Sequence, residues 1–129
     1  MKGGWLLTGL KVLSSSQTAK HQIPVISEED VVKSFETKEP VVVLDVRTEK
    51  EFTGPLGHIK GSKHIPVDQL ETRLSELGGD KEKVIITTCH SGTRSDWAAK
   101  ILVKAGFTNV MNMKGGMSTW SGKNLPVER

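Results

Sequence analysis

The sequence contains only one cysteine, Cys89, and no tyrosine among its 129 residues. A single cysteine excludes a disulfide within the chain, and without a C-x-x-C pair neither a thioredoxin-type motif nor a thiol-based zinc site is available. No apolar run reaches the roughly 20 residues that a membrane-spanning helix requires, so we expect no membrane span. The four histidines show no metal-ligand spacing. We therefore expect neither a metal nor a cofactor.

The net charge of +3 is concentrated at the N-terminus, where residues 1–22 contain three lysines and no acidic residue. Residues 23–129 are therefore neutral and give no support for a nucleic-acid-binding surface. We expect residues 1–22 to be an N-terminal extension and residues 23–129 to be one domain located in the cytoplasm. The alternative is export, if residues 1–19 or so act as a signal peptide, although Lys11 interrupts the apolar stretch.

Segments typical of strands and helices alternate along the rest of the chain. The runs VVVLDV at 41–46 and KVIITT at 83–88 are typical of strands that are covered on both faces. Further strands are predicted near His64 and at 109–113. The predicted helices lie between these strands: one begins after Ser27, one extends from Asp68 to Leu77, one extends from Ser95 to Ala105, and one contains Trp120. This alternation predicts an α/β domain with a parallel sheet.

Cys89 follows the predicted strand at 83–88 and precedes the helix that we expect to begin at Ser95. In open α/β sheets, ligands bind at this carboxyl edge of the strands. Gly92 permits a tight turn, and short side chains around it allow backbone N–H groups to point inward. Such a nest beside a helix N-terminus binds anions and stabilises a thiolate. We therefore interpret Cys89 as a reactive thiol, the ordinary alternative being an inert cysteine in the core.

The residues that follow Cys89 are predicted to form an anion-binding loop. This loop consists of His90, Ser91, Gly92, Thr93, Arg94 and Ser95. Its three hydroxyl groups can donate hydrogen bonds to a bound sulfur, and Arg94 adds a fixed positive charge. We place His90 at the mouth of the site rather than in a Cys–His pair, because adjacent side chains of a loop usually point outward.

A thiolate below an anion site fits two reactions. Cysteine-dependent phosphatases use a C-x5-R loop, in which the arginine and the backbone surround a tetrahedral phosphate. Here only four residues separate Cys89 from Arg94, and the smaller ring suits a persulfide sulfur better than a phosphate. In sulfane-sulfur transfer, the thiolate attacks the outer sulfur of a donor such as thiosulfate and sulfite leaves. A nucleophilic acceptor then removes the sulfur from Cys89.

Four motifs resemble those of single-domain rhodaneses, which are thiosulfate sulfurtransferases. They are VVVLDVRTEKEF, GHIKGSKHIP, CHSGTRS and GFTNVMNMKGGMSTW, and the resemblance covers about residues 24–126. Ser62 and His64 depart from the alanine and asparagine that are usual in the second motif. The resemblance implies an α/β fold with a five-stranded parallel sheet and helices on both faces.

The resemblance also implies a function and a set of partners. We expect a monomer that transfers sulfane sulfur from thiosulfate or a persulfide donor to cyanide or another thiophilic acceptor through a Cys89 persulfide. Its partners would be small sulfur donors and acceptors, including a thiol-bearing protein. A second interpretation is a sulfur carrier or docking module in a larger pathway, and a cysteine-dependent phosphatase is the third.

Three further polar residues could support the site. We interpret Asp45 and Arg47 as structural rather than catalytic: Arg47 is expected to pair with Glu51 across a helical turn, and Asp45 to bind loop backbone. His58 lies in a glycine-rich turn, where we expect it to be a hydrogen-bonding strut.

Overall fold

Five short parallel strands form the centre of the computed structural model, which describes residues 22–129. The strands are β1 (Val25–Ile26), β2 (Val41–Asp45), β3 (Lys63–His64), β4 (Val84–Thr88) and β5 (Asn109–Met113). Their order in the sheet is β1-β5-β4-β2-β3, and every neighbouring pair is parallel. The predicted five-stranded parallel sheet is confirmed, and β1 is a strand that the sequence patterns did not indicate. The expectations for residues 1–21 lie outside the described residues.

Residues 22–129 contain four α-helices: α1 (Glu28–Ser34), α2 (Glu49–Phe52), α3 (Thr93–Lys104) and α4 (Gly116–Gly122). Because side chains alternate along a strand, Val84 and Ile86 of β4 face one layer and Ile85 faces the other. The first layer holds residues of α1 and α4, including the buried Trp120, and the second holds residues of α3, including Leu102. The prediction of helices on both faces is confirmed.

The start of α1 follows the predicted N-cap chemistry. The Ser27 hydroxyl accepts a hydrogen bond from the backbone N–H of Asp30 at 3.1 Å, which satisfies one of the free donors of the first turn. The first turn also carries Glu28 and Glu29, whose charges suit the positive end of the helix dipole. Local sequence therefore determines where this helix begins.

The helix predicted from Asp68 to Leu77 is instead a pair of 3-10 helices, Val67–Gln69 and Glu71–Leu77. Pro66 precedes the first, and no side chain caps it. Arg73 has a non-helical backbone (φ −118°, ψ 18°), so the chain kinks within the second. Leu70 and Leu77 are nevertheless buried. The apolar spacing therefore predicted the buried face correctly, but the prediction of an α-helix was wrong.

The register of the sheet brings the ends of two central strands together. Asp45, the last residue of β2, pairs with Thr88, the last residue of β4. The backbone N–H of Val46 then donates to the Thr88 carbonyl oxygen at 3.0 Å. Cys89, which follows Thr88, therefore lies beside the segment that follows β2.

Within residues 22–129, no helix combines the length and the apolar character needed to cross a membrane.

Candidate active site

A short loop joins Cys89 to the helix that follows it. Gly92 has a left-handed backbone (φ +105°) and is the N-cap of α3, where an L side chain would be strained. The helix begins at Thr93, not at Ser95 as predicted, so Arg94 and Ser95 belong to its first turn. This earlier start places the free N–H groups of the helix directly against the cysteine.

The sulfur of Cys89 is surrounded by hydrogen-bond donors. The backbone N–H groups of Gly92 and Ser95 point at Sγ, with distances of 3.1 and 3.3 Å. The Ser95 hydroxyl lies 3.3 Å from the same atom. The cysteine residue itself is only 1% exposed. This arrangement is the predicted nest, with donors from the loop and from the helix N-terminus converging on one atom.

These donors decide the ionisation of the thiol. Burial raises the pKa of Cys89 because it disfavours the charged form. The Ser95 hydroxyl and the backbone N–H groups of Ser95, Gly92 and Ser91 act in the opposite direction and prevail, so the pKa lies below that of an ordinary thiol. A lowered pKa is what a nucleophilic cysteine requires at neutral pH.

The Ser95 hydroxyl is shared between Cys89 and a residue of the neighbouring strand. Its oxygen lies 2.5 Å from Oδ1 of Asn112 in β5, and the Asn112 amide donates to the Gly92 carbonyl at 3.0 Å. A hydroxyl has one proton, so Ser95 donates either to the sulfur or to Asn112. Sequence reasoning missed Asn112. Its signal was a polar residue within the apolar run NVMNM, because a buried amide needs partners.

A second pair of backbone contacts holds the other side of the loop. The N–H groups of Met117 and Ser118 at the start of α4 donate to the carbonyl oxygens of Cys89 and His90, at 2.7 and 3.0 Å. A Cβ added to Gly116 would lie 2.5 Å from the Cys89 oxygen, and the residue has φ +64°. The start of α4 therefore approaches the backbone of Cys89 closely at Gly116, and only glycine permits this approach at this position.

Arg94 faces the carboxylate of Glu51, for which the sequence spacing predicts a different partner, Arg47. Its Nη1 and Nη2 donate to the two oxygens of Glu51, at 2.8 and 2.9 Å. Donation from Arg94 lowers the pKa of Glu51 to about 2. Pairing with Glu51 raises the pKa of Arg94, and the negative charge of Cys89 acts in the same direction. The expected ion pair between Arg47 and Glu51 is wrong, because Arg47 contacts only the backbone oxygen of Glu51.

Comparison with known proteins identifies the family. The protein-family model described as the rhodanese-like domain matches residues 27–123 of this sequence. The chain belongs to the rhodanese-like family.

Two relatives of this rhodanese-like chain have names that refer to sulfur chemistry. It is 41% identical over 109 residues to a putative sulfur carrier protein of Bacillus subtilis, covering 84% of this chain but only 56% of that protein. It is 31% identical over 102 residues to a sulfurtransferase of Allochromatium vinosum, covering 79% of this chain and 92% of that protein. A solved rhodanese-related protein of Thermoplasma volcanium has a TM-score of 0.70 at 27% identity, covering 81% and 97% of the two chains.

Asp45 and Arg47 form a buried ion pair near the anion-binding loop of this rhodanese-like domain. Arg47 Nη2 lies 2.7 Å from Asp45 Oδ2, with side chains 1% and 0% exposed. Arg47 also donates to the carbonyl oxygens of Glu51 and Gly57, and Asp45 accepts from the Arg47 backbone N–H. The pair thus ties the end of β2 to α2 and to the glycine-rich turn. Neither side chain contacts Cys89 among the described hydrogen bonds.

Two histidines stack on opposite sides of one aromatic ring. The rings of His58 and His64 lie 3.7 and 4.3 Å from the ring of Phe52, at interplanar angles of 9° and 13°. His58 Nδ1 lies 2.9 Å from the Phe52 carbonyl oxygen, and His64 Nε2 lies 2.7 Å from the Arg47 carbonyl oxygen. Both rings therefore brace the segment around α2 that carries Glu51.

The structure separates the predicted site residues into four groups. Cys89, Gly92 and Ser95 meet at the sulfur, together with the backbone of Ser91. Arg94 turns toward α2, while Asp45, Arg47 and His58 hold α2 and the glycine-rich turn in place. The remaining residues of the loop, His90, Ser91 and Thr93, have exposed side chains.

Within the described part of the chain, no three His, Cys, Asp or Glu side chains form a group that could hold a metal ion.

Proposed function

We propose that this rhodanese-like domain is a sulfurtransferase in which Cys89 carries the transferred sulfur as a persulfide. The observation that supports it is the convergence of the Gly92 N–H, the Ser95 N–H and the Ser95 hydroxyl on Cys89 Sγ, at 3.1 to 3.3 Å. These donors favour the thiolate, which is the nucleophilic form. The N-terminus of α3 also favours the negative charge of a persulfide, whose outer sulfur would be bonded directly to Sγ.

The reaction consists of two half-reactions that need no external oxidant. The Cys89 thiolate attacks the outer sulfur of the donor, a new S–S bond forms, and the S–S bond of the donor breaks. Sulfite leaves with the electron pair when the donor is thiosulfate, and a thiolate leaves when it is a persulfide. Cyanide or a thiolate acceptor then attacks the outer sulfur, and Cys89 is released as the thiolate.

A sulfur carrier is the second candidate, and it uses the same Cys89 persulfide. It differs only in the acceptor, which would be a thiol-bearing protein rather than a small thiophile. The similarity to a putative sulfur carrier protein favours this candidate. The two candidates are separated by comparing the rates at which persulfidated protein transfers sulfur to cyanide and to a reduced protein thiol.

A cysteine-dependent phosphatase is less well supported. Only four residues lie between Cys89 and Arg94. The guanidinium that would bind a phosphate dianion already faces the carboxylate of Glu51. We therefore expect the wild-type protein to show negligible hydrolysis of an aryl phosphate, and efficient hydrolysis would contradict the sulfur-transfer assignment.

The decisive experiment is the intact mass of the reduced protein after incubation with thiosulfate. One sulfur atom adds about 32 Da, and cyanide should remove it. Cys89→Ser is the matched control, because the hydroxyl retains the shape of the side chain but is a poor nucleophile at neutral pH. An unchanged mass with thiosulfate and with a persulfide donor, while Cys89 remains alkylatable, would refute the proposed function.

A further inference from the structure

The only arginine of the active-site loop is held by a carboxylate from a distant part of the chain. Arg94 and Glu51 are 43 positions apart, yet they form two hydrogen bonds of 2.8 and 2.9 Å. Their side chains are 34% and 32% exposed, so the pair borders on solvent. Two of the five guanidinium N–H groups are used, which leaves three for a ligand. The pair as a whole has no net charge.

Glu51 is fixed in this position by its own helix. Glu51 Oε1 accepts from the Thr48 backbone N–H at 3.0 Å, and the Glu51 N–H donates to the Thr48 hydroxyl at 3.2 Å, which is a capping box. Arg47 donates to the Glu51 carbonyl at 3.2 Å. Because the pKa of Glu51 is lowered to about 2, its charge persists at all pH values at which a thiolate could react.

The pair changes the charge that a sulfur donor meets. An unpaired arginine beside the Cys89 thiolate would attract a dianion more strongly than a monoanion. With Glu51 in place, the attraction rests on backbone N–H groups and the N-terminus of α3, whose partial charge is only about half of one unit. A second negative charge on the donor is then poorly compensated, since the attacking sulfur is also negative.

We propose that Glu51 selects sulfur donors of low charge by neutralising Arg94. This inference rests on the proposed function. Monoanionic sulfane donors, such as alkyl persulfides and thiosulfonates, are preferred over dianionic thiosulfate. Glu51 is a positioning residue that does not touch the reacting atoms. With an alkyl thiosulfonate, the Cys89–S bond forms, the S–S bond of the donor breaks, and a sulfinate leaves with the electron pair.

The test compares two donors that differ by one charge, thiosulfate and methanethiosulfonate, with cyanide as the common acceptor. Glu51→Gln removes the charge but keeps an oxygen that can accept from Thr48. Glu49→Gln is the matched control, because it removes one charge from the exposed side of the same helix without affecting the partner of Arg94. The readout is the ratio of kcat/KM for the two donors.

Glu51→Gln should shift this ratio toward thiosulfate by about three- to seven-fold, which is the effect of one unit charge at an assumed separation of about 7 Å and an effective dielectric constant of about 40–80. The shift should shrink as the ionic strength is raised, and Glu49→Gln should leave the ratio near its wild-type value. An unchanged ratio in Glu51→Gln, or an equal shift in both variants, would overturn the inference. Transfer from neither donor by the wild type would instead overturn the proposed function, and this inference with it.

Discussion

Ser95→Ala tests whether the hydroxyl beside Cys89 controls the reactivity of the thiol. The substitution removes the side-chain donor to Sγ and leaves the backbone N–H groups of Gly92, Ser95 and Ser91 in place. Ser95 is fully buried in the first turn of α3, where alanine is a good helix former, so the fold should be retained. Loss of the donor disfavours the thiolate, and the pKa of Cys89 in the variant should therefore be higher than in the wild type.

The size of the effect follows from the geometry. A hydrogen bond to a charged acceptor contributes about 1.5–3 kcal/mol. We take the lower end, because the Oγ–Sγ distance is 3.3 Å and the same proton is shared with Asn112. About 1.5 kcal/mol corresponds to slightly more than tenfold in the ratio of thiolate to thiol. The rate of alkylation below the titration midpoint should fall by about the same factor.

The assay is the rate of iodoacetamide alkylation as a function of pH. The profile of Ser95→Ala should lie at higher pH than that of the wild type, while the rates at alkaline pH should converge. Ser91→Ala is the control, because it keeps the backbone N–H and removes a hydroxyl that is not among the described contacts of Sγ. Coincident profiles for the wild type and Ser95→Ala would refute the view that the hydroxyl stabilises the thiolate.

Three further predictions concern the support of the site. Asp45→Asn leaves Arg47 buried without its counter-charge, and urea titration should show a loss of about 3–5 kcal/mol in the free energy of unfolding; a negligible loss would contradict the structural role of the pair. Gly116→Ala introduces a Cβ 2.5 Å from the Cys89 carbonyl oxygen, so sulfur transfer should fall by about a hundredfold while the circular dichroism spectrum is retained; full activity would argue against the close approach. The pKa of Glu51 lies at about 2 in the folded protein against 4.5 without its partners, so its contribution to stability should be complete above about pH 4.5 and be lost as the pH falls toward 2. The stability difference between the wild type and Glu51→Gln should accordingly be present at pH 7 and vanish near pH 2, and a difference that is independent of pH would contradict the ion pair.

Much of the frame of the site could be predicted from local sequence. The β-branched runs at 41–46 and 83–88 contain β2 and β4, because residues of this type favour strands that are buried on both faces. Ser27 caps α1, and Gly92 provides the positive φ that ends the loop. These features depend on a few neighbouring residues, so periodicity and capping rules are sufficient to locate them. The place of Cys89 between a strand and a helix follows directly.

Only the tertiary structure decided which side chains meet. Local spacing paired Glu51 with Arg47, four positions earlier, but its carboxylate binds Arg94. Ser95 shares its proton with Asn112, a residue of another strand. The short strand β1 exists because it pairs with the edge of β5, and a run of two residues carries no periodicity of its own. Strand order and register set these distances, and neither is encoded in any single segment, so the polar contacts that tune the cysteine become visible only when the sheet is assembled.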